Sequence, residues 1–278
     1  MRQNLPPLLT SETAKEILEG KIEISVDLGL NKIKVDWTNS NLYFPGGEKI
    51  EVKELEKIAN KPEAVYFIKN NKIYQVAIAR NHYYKLLPTD GAPTLEIDGI
   101  RMHRTKNTTP DKDSLKKIQL LGNSFEYVLD TCTGLGYTAI EALKGGALRV
   151  ITIELEPNVH RISSMNPWSQ KLYQSNEIQC ILGDSFHVVD GLPDELFNII
   201  IHDPPRHRYA GHLYGLIFYQ KLFRLLKSGG KIFHYTGEPR SKYRGVNISK
   251  GVSQRLLKAG FRDVQYHDNV MGLIGFKN

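Results

Sequence analysis

The sequence predicts an α/β protein, a doubly wound and mostly parallel sheet of seven strands preceded by a smaller α+β domain. Three observations carry that expectation. From residue 125 onward short apolar runs alternate with helical stretches, the pattern of successive βαβ units. One run, Phe197 to Ile201, is almost wholly apolar, as a parallel strand covered on both faces should be. The run Tyr127–Asp130 leads directly into Thr131-Cys132-Thr133-Gly134-Leu135-Gly136, a strand end, a tight turn and a helix start. Glycines without a Cβ let a ligand approach the backbone there. The helix expected from Thr138 to Lys144 aims its unpaired N–H groups and positive dipole end at the same spot.

Taken in order, residues 1–92 read as the smaller domain. Thr10 or Ser11 caps a helix running to Leu18, ended by Gly20. Ile22, Ile24, Val26 and Leu28 alternate with polar residues, as do Ile33, Val35 and Trp37, which predicts a hairpin across Leu28–Asn31. Gly46-Gly47 precedes an amphipathic helix over 52–59, and 65–68 with 73–78 predict a second hairpin. Asn81-His82-Tyr83-Tyr84-Lys85 mixes aromatic and basic residues, a pattern that stacks bases and pairs phosphates or forms an ordinary amphipathic surface. Residues 93–278 read as the larger domain. A helix capped by Asp113 or Ser114 runs to about Leu121. Strands are expected at 127–130, 149–153, 178–182, 197–201, 231–235, 261–267 and 271–276. Helices are expected at 138–144, over 157–172 with a break at Asn166-Pro167, and over 213–226 and 252–258.

Composition narrows the class. A chain of 278 residues with 41% hydrophobic residues can bury a sizeable core. No apolar run is long enough to span a membrane, and the first ten residues lack signal-peptide architecture. Two cysteines, Cys132 and Cys180, make no disulfide framework and read as reduced thiols, so a cytoplasmic location is expected. The net charge of +7 allows a nucleic-acid partner without requiring one. No Cys/His cluster has zinc spacing, so no metal is expected.

The candidate site lies at strand ends. Glu154 closes the run after the glycine turn, and a carboxylate there suits a ribose diol. Gly134-Leu-Gly136-Tyr-Thr-Ala139 also fits the dinucleotide fingerprint, and a glycine turn is common in any α/β protein. Two features separate the readings. Asp130 stands four residues before the first glycine, where a dinucleotide fold usually turns sooner. A further station, His202-Asp203-Pro204-Pro205-Arg206, follows a later strand.

Asp130-x-x-x-Gly134-x-Gly136, Glu154, Gly183-Asp184 and Asp203-Pro204-Pro205-Arg206 resemble the ordered motifs of class I S-adenosylmethionine-dependent methyltransferases, from about Gly99 to the C-terminus. More narrowly, Gly99–His103, Asp130–Gly134, His202–Arg206 and His234–Gly237 resemble an uncharacterised archaeal methyltransferase family. The resemblance implies a Rossmann-like fold and S-adenosylmethionine held by Asp130, Thr131, Gly134, Gly136, Glu154 and Asp184. It implies Asp111 and Lys117 as cofactor neighbours, although a solvated helix start is the plainer reading. Asp184 would accept from the adenine amine, but an aspartate after a strand is also an ordinary turn residue. Asp203 and Pro204 would accept both N–H bonds of a substrate amine, while Arg206 replaces the usual stacking aromatic with a group that clamps an anion or stacks on a ring. His202, His207, Arg208 and His212 would make the rim basic, with His202 and His212 open to either proton transfer or packing. The expected function is methyl transfer to an amino nitrogen, RNA being one acceptor class. The alternatives are aminopropyl transfer of the polyamine-synthase type, which a basic rim disfavours, and a non-catalytic nucleic-acid-binding module.

Overall fold

A computed structural model of the chain describes residues 5–38, 40–122, 126–206, 210–237 and 248–278. They form two compact units. One comprises Met1–Asp111 with Asn158–Gln174, the other Lys112–Pro157 with Ser175–Asn278.

The first unit is built from short antiparallel strands and two helices. Its strands are β1 (Leu8–Thr10), β2 (Glu23–Ile24), β3 (Ile33–Lys34), β4 (Asp36–Trp37), β5 (Asn41–Tyr43), β6 (Lys49–Glu51), β7 (Val65–Lys69), β8 (Lys72–Gln75), β9 (Ala77–Ala79), β10 (Tyr83–Leu87), β11 (Thr94–Ile97) and β12 (Ile100–Arg101). They pair as β1-β7-β8, β12-β11-β10-β9, β2-β3 and β4-β5-β6. Helix Ser11–Leu18 is capped as expected, Thr10 Oγ1 accepting from the Thr13 N–H at 3.2 Å. Helix Val52–Ala59 has the expected bounds. Leu9, Ile17, Ile24, Leu42, Leu55 and Ile68 close the core between them.

The first expected hairpin is mostly loop. Ser25 Oγ donates to Asp27, whose carboxylate accepts from the Asn31 backbone and side chain. The Leu28 carbonyl accepts from Trp168 Nε1 at 3.0 Å. These bonds curl the segment away from extension, so alternation survives only at β2 and β3. The run 73–78 is likewise split at Val76, whose N–H bonds to Val65 and whose carbonyl accepts from Leu86. β8 therefore pairs with β7, and β9 with β10.

The second unit carries one sheet of seven strands. These are β13 (Tyr127–Asp130), β14 (Arg149–Glu154), β15 (Ile178–Leu182), β16 (Phe197–His202), β17 (Leu226–Tyr235), β18 (Arg262–His267) and β19 (Gly272–Phe276), in the order β15-β14-β13-β16-β17-β19-β18. The first five in that order are parallel and the last two pairings antiparallel. Helix Tyr137–Lys144 packs on β13 and β14, Leu216–Leu225 on β17, and Ile248–Ala259 on β18 and β19. Leu129, Ile153, Phe197, Ile200, Phe218 and Leu222 lie at the centre of the core.

Several boundaries differ from expectation, among them the start of the last helix, at Ile248 rather than Val252. The helix before β13 spans Pro110–Leu121, so Asp113 and Ser114 are not caps but buried helical residues. Proline suits the first helical position because the N–H it lacks would have no partner there. The helix expected over 213–226 is a 3-10 turn, Gly211–Tyr214, and a helix, Leu216–Leu225, separated at extended Gly215. β17 starts at Leu226 rather than Lys231, with a register shift opposite Phe197 to Ile199. Gly230 sits in that stretch because a Cβ there would meet the Asn198 carbonyl at 2.9 Å.

Candidate functional site

Because β13 to β17 are parallel, Asp130, Glu154, Asp184 and Asp203 all come to one edge of the sheet, each at or just beyond the carboxyl end of its strand. That is where open α/β sheets take ligands. The glycine turn follows β13. Gly134 and Gly136 have φ of 53° and 79°, the left-handed region where a side chain is strained. Gly136 begins helix Tyr137–Lys144 with no side-chain cap. The Gly134 N–H instead donates to Glu154 Oε2 at 2.8 Å, and the Glu156 N–H to Oε1 at 2.9 Å. Glu154 is thus laid against the turn. Burial raises its pKa, and the two N–H bonds work against that rise.

Asp130 is fully buried. Its Oδ2 accepts from Thr138 Oγ1 at 3.1 Å and Thr152 Oγ1 at 3.0 Å. Its Oδ1 has no hydrogen-bond partner among the described residues. Burial lifts the carboxyl to about 7, against the pull of the two threonine hydroxyls and, more weakly, of the Cys132 backbone N–H. Thr131 turns inward: its Oγ1 is 2.6 Å from His202 Nδ1, and its carbonyl accepts from Ser185. Asp184 caps the short helix Ser185–Val188, accepting from the Phe186 N–H at 2.9 Å, with His212 Nε2 at 3.4 Å. Exposed Leu155 and Leu182 flank these acids.

Asp203 follows β16 and meets a residue from far upstream. Lys117 Nζ lies 2.6 Å from Asp203 Oδ2 and 2.8 Å from Asp113 Oδ2. Lys117 is buried, 5.9 Å from the Phe233 ring centre and 4.9 Å from that of Tyr235. Burial by itself pushes the ammonium toward its neutral form, but Asp203 and Asp113 outweigh it and hold the pKa above the ordinary lysine range. Tyr214 OH donates to the Pro205 carbonyl at 3.0 Å and anchors the proline loop from behind. Arg206 is exposed.

His202 corrects the expectation of a basic rim. It is wholly buried, its ring 4.3 Å from that of His234. Its Nε2 must donate to the Leu213 carbonyl at 3.0 Å, so Nδ1 accepts from Thr131. Burial lowers its pKa to about 3, which makes it a neutral packing group and not a proton carrier. His207 and Arg208 lie outside the described residues, so Arg206 and His212 are what the rim retains among those described. Asp111 also turns elsewhere, accepting from the Ala92 N–H at 3.0 Å. In the first unit, Tyr84 is buried, Lys85 pairs with Glu96 at 3.0 Å and His82 with Asp98 at 2.6 Å. Of that cluster's tyrosines, Tyr83 is the exposed one. The Asp113–Lys117–Asp203 arrangement went unread in the sequence. A signal for part of it was there: Asp113 and Lys117 stand four apart on the helix face that also buries Ile118 and Leu121. Among the described residues no cluster of three or more His, Cys, Asp or Glu could hold a metal, and no helix is long and apolar enough to cross a membrane.

The fold is shared with several solved structures. Spermidine synthase in complex with the transition-state analogue AdoDATO superposes with a TM-score of 0.57 at 19% identity, covering 72% of each chain. Spermidine synthase from Thermotoga maritima gives 0.56 at 18% identity, over 72% of this chain and 71% of that one. MNMC2 from Aquifex aeolicus gives 0.52 at 19%, over 69% and 70%. At these identities the likeness is one of fold. A family model described as conserved hypothetical protein 95 matches residues 99–233. The uncharacterized protein MJ1233 of Methanocaldococcus jannaschii is 47% identical over 277 residues, covering 97% of this chain and 95% of its own. The chain belongs to the family of that archaeal protein.

Proposed function

We propose that the chain is an S-adenosylmethionine-dependent methyltransferase of the doubly wound, Rossmann-like kind, acting in the cytoplasm on an amino nitrogen, with RNA among its acceptors. Asp130 carries the reading. A carboxylate buried beside a glycine turn, with one oxygen lacking a partner among the described residues, is costly to keep. A cationic ligand in the turn would offset that cost. S-Adenosylmethionine, when bound, supplies a methyl on a sulfonium, whose sulfur–carbon bond breaks as the nitrogen–carbon bond forms.

The chain's own groups then have distinct tasks. Gly134 and Gly136 let the ligand approach the backbone. Glu154 takes the ribose hydroxyls on its remaining lone pairs, and Leu155, Leu182 and Asp184 line the base. Thr131 stiffens the turn from behind through His202. Asp203 and the Pro204 carbonyl accept the two N–H bonds of the amine and turn its lone pair toward the methyl, so that positioning supplies most of the acceleration. Arg206 clamps an anionic feature of the acceptor. The first compact unit captures the acceptor.

Aminopropyl transfer is the second reading. Two of the fold relatives are spermidine synthases, and the buried, neutral His202 removes part of the basic rim that spoke against a polyamine. Mass spectrometry of the purified chain for a co-purified adenosyl ligand should be followed by calorimetry with S-adenosylmethionine, its decarboxylated form and NAD. Labelled-methyl transfer into RNA, protein and small-molecule fractions completes the test. Preference for the decarboxylated form, with labelled aminopropyl transfer into amines, selects the second reading. Tight NAD binding with none for the sulfonium overturns both.

A further inference from the structure

We propose that Lys117 is a positioning residue, holding the Asp203 carboxylate in one orientation by its Oδ2 so that Oδ1 accepts from the substrate amine and Asp203 does not serve as a general base. The inference rests on the amine-orienting role given to Asp203 above. An ammonium 2.6 Å from one carboxylate oxygen is a short charge-assisted bond. It is itself fixed from the other side by Asp113 at 2.8 Å. Asp113 and Lys117 stand four apart on one rigid helix, so the geometry reaching Asp203 is set before any ligand arrives. The aromatic rings of Phe233 and Tyr235, from β17, cover the ammonium. With Oδ2 bound to the ammonium, the carboxylate keeps Oδ1 to accept a hydrogen bond, and taking up a proton would break its charge-assisted bond to Lys117. The amine therefore enters neutral, its lone pair attacks, and the proton it must shed afterward goes to solvent.

Among the described residues, the other charged or titratable groups that bear on this loop are Asp130 from β13, Cys132 in the turn, Tyr214, which holds Pro205, and Arg206 on the loop itself, which is exposed. Among the described residues none of these is a second buried cation that could stand in for Lys117.

The test has one arm that needs no substrate. Acetic anhydride labelling of the full chain at alkaline pH, read by mass spectrometry, should find Lys117 protected in the wild type. In Asp203→Asn it should react about 10-fold faster or more, because a lost ion pair frees the amine. Equal labelling in both overturns the pairing, whatever the acceptor. The second arm measures labelled-methyl transfer into the extract fraction that the wild type modifies. Lys117→Met should lose about 100-fold in turnover, the scale of a misplaced catalytic group. Its S-adenosylhomocysteine affinity should hold. The loss should fall on kcat, with the acceptor's KM moving by about 3-fold or less, because positioning is realised in the transition state. Lys117→Arg should restore turnover in part. If Lys117→Met does not fold, the paired change Lys117→Met with Asp113→Asn removes both buried charges and takes its place. Wild-type turnover in these variants, or a loss that falls on KM alone, overturns the positioning role. A wild-type chain that binds S-adenosylhomocysteine but transfers no methyl overturns the methyltransferase reading, and the labelling arm still decides the pairing.

Discussion

Lys85 and Asp130 are both charged residues on a strand, and their surroundings are opposite. Lys85 on β10 faces Glu96 on β11 at 3.0 Å. Its neighbour His82 is matched by Asp98, and Tyr84 fills the core. Apart from exposed Tyr83, the aromatic and basic side chains of that cluster are engaged within their own unit. Asp130 on β13 is more deeply enclosed, yet one oxygen lacks a partner among the described residues and its carboxyl sits near neutrality in pKa. Residue type would have ranked the first cluster as the binding surface. Satisfaction of polar groups ranks the second, because folding has no reason to leave a buried acid half paired unless something else completes it.

The largest test of that contrast is Asp203→Ala. It removes an acceptor at the carboxyl edge and leaves the glycine turn untouched. Turnover should fall by about 100-fold or more, as for a lost transition-state hydrogen bond. Cofactor affinity should barely move. Wild-type turnover would make the Asp-Pro-Pro-Arg loop a scaffold.

Glu154→Ala comes next. Its effect should fall on binding, weakening S-adenosylhomocysteine by about 1.5–3 kcal/mol, the range for hydrogen bonds to a charged group. Calorimetry reads this directly, and an unchanged affinity would remove Glu154 from the site.

Asp130 makes a pH-dependent prediction. Its folded pKa, about 7, stands above the ordinary carboxyl value, so the folded chain binds the extra proton in between. Stability contributed by this group is full below the unfolded value and is lost as pH rises toward 7. Asp130→Asn keeps an acceptor for Thr138 and Thr152, and should raise the melting temperature of the ligand-free chain more at pH 8 than at pH 5. S-Adenosylmethionine affinity of the wild type should rise with pH up to about 7 and then level, and this slope should flatten in the variant, where Glu154 still titrates. His202 acts in the other direction. Its folded pKa, about 3, lies below the ordinary value, so its contribution is lost as pH falls below about 6.5.

The smallest effect belongs to the satisfied cluster. His82→Ala breaks an exposed pair and should cost at most about 1 kcal/mol by denaturant titration. Tyr83→Ala should change stability by about 0.5 kcal/mol or less. If Tyr83→Ala nonetheless lowers methyl transfer into RNA while stability holds, the first unit touches the acceptor and the contrast narrows.

What the sequence determined by itself is what depends on neighbours along the chain. Alternating apolar runs and helical stretches, the turn at Gly134 and Gly136, the cap at Thr10 and the bounds of helix 52–59 are all set within a few residues, and periodicity reads them. Parallel strands then put Asp130, Glu154, Asp184 and Asp203 on one edge, a consequence of topology that needs no distances. What only the tertiary structure decided is where polar groups find partners. Lys117 and Asp203 are 86 residues apart, and no local pattern joins them. His202 looked like part of a basic rim, but β16 carries it inward against His234, where burial keeps it neutral. Asp113 looked like a cap, and is a buried anion because the helix starts at Pro110. The segment 158–174 belongs to the same compact unit as the first 111 residues, joined there by contacts such as Trp168 to Leu28. A charge's role is set by what desolvates it and what lies within hydrogen-bond reach, and both depend on where the chain returns.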